Sequence, residues 1–398
     1  MTTARADSPW AGSARNLYGV AMAVFLVTIV IGILNGADVV EFDRNQLLTH
    51  VHSGTIGWMT LALVASTVLL YRSVDRRLLL TLAVLVPVYV LAFYTGNFMF
   101  RAISGVALLA GVVWLLFWVW GEYLGGERSL PRLAVALGLT AFGYGGIIGV
   151  LIQLALALEV TILPGEQVGA HASAMTFGYL ALAAMGLIEW RVLGTRDLPT
   201  LGLVQIGSLF LGGAIISLAL LAGAQQIGGM LYLLTQLVAV VLFAIRVWPR
   251  ALGRSWTSAD PGRHFGIASV WTVVALVMFM YVVFAVITAA DPNDPSALPL
   301  GVLLASDHAV YIGVITNVVI GLLSTLFLRG TAGWVAQVVF WGVNLGLAVF
   351  VIGLIVDTAE LKRIGAPVMG ITLLAALGFL ASRMWGTEAD VASLGAVE

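Results

Sequence analysis

The sequence predicts an all-α, polytopic membrane protein that crosses the bilayer twelve times. Three observations predict it: a composition too apolar for water, twelve apolar segments of bilayer length, and a lopsided distribution of Lys and Arg. Of 398 residues, 61% are hydrophobic and only 10% are charged, against roughly 25% charged in a soluble domain. Such a chain has no polar surface to spare for water, so lipid is its solvent. The formal net charge of -1, with no basic tail or basic helix, excludes a nucleic-acid partner. Cysteine is absent, which removes disulfides, thiolate metal sites and cysteine nucleophiles together. The first apolar stretch runs directly into the body of the protein and reads as a retained helix rather than a cleaved leader.

A hydrocarbon core of about 30 Å needs roughly 20 apolar residues per helix. By that rule the first four spans are Leu17–Leu34, His50–Leu70, Leu78–Asn97 and Ile103–Leu124. Leu133–Leu158 and His171–Leu193 follow, separated by the chain-breaking pair Pro164 and Gly165. Next come Gly202–Leu221 and Ile227–Val247, then Phe265–Thr288 and His308–Leu328, and finally Trp334–Val356 and Ala366–Ala381. No connecting loop is long enough to fold separately, so residues 1–398 form a single transmembrane domain.

Orientation follows from the basic residues. With the N-terminus inside, only Arg44, Arg101, Lys362 and Arg363 fall outside, leaving the other fifteen of the 19 Lys and Arg on the inner side. Adding or removing one helix would scramble that division, so the span count and the positive-inside bias support each other. Both termini are expected in the cytoplasm, and the plasma membrane is the expected location.

The polar residues that matter in such a chain are those within or at the rim of the lipid zone. No Asp, Glu, Lys or Arg falls near the middle of a span; Glu159 and Glu189 lie at helix ends. Of five histidines, four are expected to begin helices at the outer face: His50 and His52 on the second, His171 on the sixth, His308 on the tenth. Helices two, six and ten divide twelve into three blocks of four. Gly57 follows His50 by seven residues, as Gly178 follows His171, and Gly313 follows His308 by five, as Gly57 follows His52. These spacings suggest internal repeats over about 15–124, 131–247 and 264–383.

Positions i and i+2 lie about 200° apart on a helix, so His50 and His52 cannot face one site. His50 shares its face with Gly54 and Gly57, and His171 shares its own with Ala174 and Gly178. Small residues there leave room for a flat macrocycle or for a close helix neighbour, and both readings stay open. His264 reads as a solvated residue of the basic inner loop. Asp307 reads either as the helix N-cap or as a partner orienting His308.

His50-Val-His52 with Ile56-Gly57-Trp58, His171, and Asp307-His308-Ala-Val-Tyr311 resemble the heme-copper oxidase superfamily, the catalytic subunit of cytochrome oxidases and nitric oxide reductases. The resemblance implies twelve helices in three four-helix arcs with pseudo-three-fold symmetry, heme b and copper or another metal as cofactors, and oxygen or nitric oxide as the small gas. His50 would correspond to a low-spin heme ligand, with His52 on the same helix as its rival. His171 would correspond to the copper or non-heme-metal ligand, and His308 to a heme ligand of the tenth helix. An electron-donor subunit or cytochrome is the partner so implied. The chain departs from the pattern at Val310, where a second histidine is expected, at Met175 and Thr176, and over Gly202–Leu221, which carries no histidine. His308-Ala-Val-Tyr-Ile-Gly313 also resembles a motif of the NnrS family of heme-copper membrane proteins. Two further functions fit the same residues: a metal-handling permease with three imidazoles gathered at one depth, and a non-catalytic subunit of a respiratory complex.

Overall fold

The computed structural model describes residues 8–194, 196–291, 295–328 and 333–395. These residues contain no strand, and twelve of their helices are long and apolar enough to cross a membrane. In chain order they are α1 Pro9–Gly36, α2 Arg44–Tyr71, α3 Arg76–Thr95, α4 Phe98–Gly125, α5 Leu130–Leu158 and α6 Gln167–Val192. The second half comprises α7 Thr200–Ala222, α8 Gln225–Ala251, α9 Gly262–Thr288, α10 Leu300–Phe327, α11 Gly333–Ile355 and α12 Ala359–Gly386. The protein is a multi-pass membrane protein. Every helix packs on its successor, and α12 returns against α1 to close the ring.

Three helices stand inside that ring. The apolar windows of α2, α6 and α10 are 100%, 89% and 89% buried, whereas those of the other nine range from 33% to 61%. The inner helices are not the most apolar ones: α6 has the lowest mean hydropathy of the twelve, 1.4, and the outer α9 the highest, 2.7. An inner helix faces protein, where a polar group can find a partner. An outer helix faces lipid, where it cannot.

Helix starts differ from the expected ones where a polar turn precedes the apolar run. α2 begins at Arg44 rather than at His50. There Asp43 accepts a hydrogen bond from the Gln46 backbone N–H (2.8 Å), and Gln46 Oε1 accepts one from the Asp43 N–H (2.9 Å). This capping box starts the helix more than a turn early. α10 begins at Leu300, so His308 lies two turns inside it and Asp307 is mid-helix rather than a cap. α6 starts at Gln167, with Glu166 accepting from the Gly169 N–H at 3.1 Å. None of the four histidines therefore begins a helix; each sits one or more turns within it.

Buried polar groups tie the bundle together at its inner layers. Glu189 accepts from both terminal nitrogens of Arg246 (3.0 and 2.9 Å) and from Gln205 Nε2 (2.8 Å), joining α6, α7 and α8. Asn317 and Asn344 donate to each other's side-chain oxygens, and Trp271 Nε1 donates to Asn344 at 3.0 Å. His264 completes that group. It is 4% exposed, with Nδ1 3.0 Å from Asn317 Oδ1, so it is a buried structural residue of α9 and not a solvated loop residue.

Candidate functional site

The histidines are positioned by a backbone device that the three inner helices share. Each contains a π-helical stretch just past its histidine: Ser53–Thr60 in α2, Ala174–Leu180 in α6 and Ala309–Thr316 in α10. Gly57, Gly178 and Gly313 occupy the fifth position of the three stretches. Each presses on the helix before it. A Cβ at Gly57 would lie 2.2 Å from Val24 Cγ1, at Gly178 3.2 Å from Ala141 Cβ, and at Gly313 2.5 Å from Trp271 Cγ. At Gly57 and Gly313 only glycine allows so close an approach, and at Gly178 a Cβ would be tight.

One turn along α1, α5 and α9 from those contacts stand Thr28, Gly145 and Ala275, and their carbonyl oxygens accept three corresponding hydrogen bonds. The donors are His50 Nδ1 (2.9 Å), His171 Nδ1 (2.8 Å) and Ser306 Oγ (3.0 Å). A further turn along, Gly32 lies under the His50 ring and Gly149 under the His171 ring; a Cβ there would stand 2.9 and 2.7 Å from the respective Cε1 atoms. The corresponding residue of α9 is Phe279, which stacks on Phe177 of α6 with ring centroids 3.7 Å apart. Trp58 Nε1 donates to Thr316 Oγ1 (2.9 Å) between α2 and α10, and Tyr179 faces Thr60 between α6 and α2.

His52 and His308 form a second kind. Each bonds through Nδ1 to the carbonyl one turn back in its own helix, Leu48 and Leu304, both at 2.8 Å. His52 stacks on Phe93 of α3, with ring centroids 3.6 Å apart, and His308 meets Phe350 of α11 edge-on at 5.0 Å. Both kinds share one chemical consequence. A carbonyl oxygen can only accept, so Nδ1 carries the proton, and in the neutral ring Nε2 is left with its lone pair. All four imidazoles are thus fixed in the tautomer that ligates metal through Nε2.

The four rings interact in two pairs. His50 and His308 are close enough to interact electrostatically, and so are His52 and His171. His52 and His171 also line one cavity of about 740 Å³. The geometry predicted from α2 holds: His50 turns toward α1 and α10, His52 toward α3 and α6. The three-imidazole cluster expected for a metal-handling site is not assembled. Among the described residues no three His, Cys, Asp or Glu side chains converge on a point that could hold a metal ion. α6 faces α10 with other residues, Thr176 Oγ1 and Tyr311 Oη sharing a hydrogen bond (2.7 Å), and faces α9 with Phe177, which stacks on Phe279 (3.7 Å).

Sequence reasoning missed Gly32, Gly149 and the carbonyls that fix the rings. The two glycines sit on helices without any histidine, so nothing local to them signals a role. Comparison with known protein families and with curated proteins finds no match.

Proposed function

We propose that this chain binds heme b in the membrane, with His50 and His308 as axial ligands, and serves electron transfer or oxygen or nitric oxide chemistry of the heme-copper oxidase type. The supporting observation is the pairing of two imidazoles from α2 and α10, each held with Nε2 unprotonated. Porphyrin supplies four of the six ligands of a heme iron, so a site built from two nitrogens suits it. A bare zinc ion takes three or four protein donors, which counts against a zinc-handling permease. Bound heme would supply a one-electron redox centre. The chain's own contribution is to hold the ligands: the Thr28 and Leu304 carbonyls orient the two rings, Gly32 leaves space against His50, and Phe350 packs on His308. A membrane-anchored or soluble cytochrome is the partner this reading implies, in the plasma membrane with both termini cytoplasmic.

The test is the reduced-minus-oxidised visible spectrum of purified protein expressed with ample heme. Sharp bands of six-coordinate heme are expected, with amplitude reduced in both His50→Ala and His308→Ala. A flat spectrum from well-folded protein overturns the heme reading and leaves a non-catalytic subunit as the better account.

A further inference from the structure

We infer that the chain has a second heme site, equivalent to the first, between α2 and α6, with His52 and His171 as its axial ligands. This rests on the heme reading of His50 and His308 and extends it by the correspondence among the inner helices. Aligning Gly57, Gly178 and Gly313 aligns His50 with His171 and Ser306, and His52 with Ser173 and His308. The first pair therefore joins an own-helix-bonded histidine of α10 (His308) to a neighbour-bonded histidine of α2 (His50). The second pair joins the same two kinds, one step around the ring: His52 of α2 and His171 of α6. Both neighbour-bonded rings lie over a glycine, Gly32 or Gly149. Whatever planar ligand the first pair accepts, the second pair presents the same two Nε2 atoms to it.

The third position around the ring shows what the absence of such a site looks like. There the corresponding residues are Ser173 and Ser306, the glycine is replaced by Phe279, and Phe177 stacks on Phe279. Two positions keep imidazoles and glycine, and one keeps neither.

The space beside His52 and His171 suits a heme. Its volume of about 740 Å³ lies within the roughly 300–1,000 Å³ typical of small-molecule and cofactor sites. Arg44 and Arg101 are on its wall, two cations for the two propionate carboxylates that a heme carries. Arg101 is held in place by Asn45 Oδ1 (2.7 Å) and the Phe93 carbonyl (2.8 Å). Of the carboxylates there, Glu166 is turned to the Gly169 backbone as the cap of α6. A copper(II) ion bound by His171 would find His52 as the other imidazole there, which leaves it short of the donors its square-planar geometry takes.

The experiment is the heme-to-protein ratio of the purified full chain, with spectra of single variants. Two hemes per chain are expected, falling to one in His52→Ala and in His171→Ala, with the remaining bands unchanged from one variant to the other. Gly149→Leu, which drives a side chain against the His171 ring without removing a ligand, is expected to lower the ratio to one as well. His171→Met, which substitutes another axial ligand, is expected to keep two hemes and shift the bands and potential of one. One heme per chain, lost in His50→Ala or His308→Ala but untouched in His52→Ala and His171→Ala, overturns the second site and leaves the first standing. No heme in any folded form removes both.

Discussion

Glu189 and Arg246 form a buried ion pair, with side chains 1% and 10% exposed and oxygen–nitrogen distances of 2.9 and 3.0 Å. Removing one partner strands the other charge, which costs about 3–5 kcal/mol, whereas replacing both by apolar groups is often neutral or better. Arg246→Leu is accordingly expected to lower the unfolding midpoint in detergent sharply, and Glu189→Leu/Arg246→Leu to recover most of the loss. Equal losses in the single and double variants would show that the pair is not acting as a unit. In the sequence Glu189 looks like a charge at a helix end, because only the packing of α7 and α8 over it decides that it is buried. His264 was misread for the same reason: the basic loop beside it is polar, but α9 carries the residue under Phe340 and beside Asn317. The four ligand candidates were legible as residue types at one depth. Their division into two pairs was not, since pairing depends on which faces of α2, α6 and α10 meet.

The π-helical stretches carry the site at the level of the element. A π turn holds one residue more than the α-helical turn it replaces, so it rotates everything before it by about 100° relative to everything after. Deleting Thr55, which lies inside the stretch of α2, is expected to restore an α-helical path and swing His50 and His52 off their present directions together. The expected result is a monodisperse, helical protein that has lost heme bands assigned to both histidines, measured by circular dichroism and visible absorption on one sample. Unchanged spectra would mean that the π turn does not aim these residues. The twelve spans themselves were legible, because lipid demands about 20 apolar residues per crossing and leaves little choice. Their starts were not, since capping boxes such as Asp43–Gln46 extend helices into polar sequence. The π stretches leave no mark in composition. Their one visible trace is the fixed spacing from histidine to Gly57, Gly178 and Gly313, which reads as a repeat without revealing the backbone behind it.

At the scale of the whole molecule the two ends of the bundle differ. The histidine end carries the cavity beside His52 and His171, and the opposite end carries another of about 540 Å³ with Arg191, Arg254 and Arg263 on its wall. The positive-inside bias would put the arginine end in the cytoplasm, and therefore the histidine end outside. The chain's lack of cysteine makes this directly measurable, because single cysteines report without background. Ser255→Cys lies in the exposed loop between α8 and α9, and Glu360→Cys in the exposed first turn of α12. A membrane-impermeant thiol reagent added to intact cells is expected to label Glu360→Cys and to leave Ser255→Cys unlabelled until the cells are opened. That outcome sets both histidine pairs within reach of an electron donor on the outer surface. The reverse labelling would turn the bundle over, place the pairs at the cytoplasmic face, and require that any redox partner be an intracellular one.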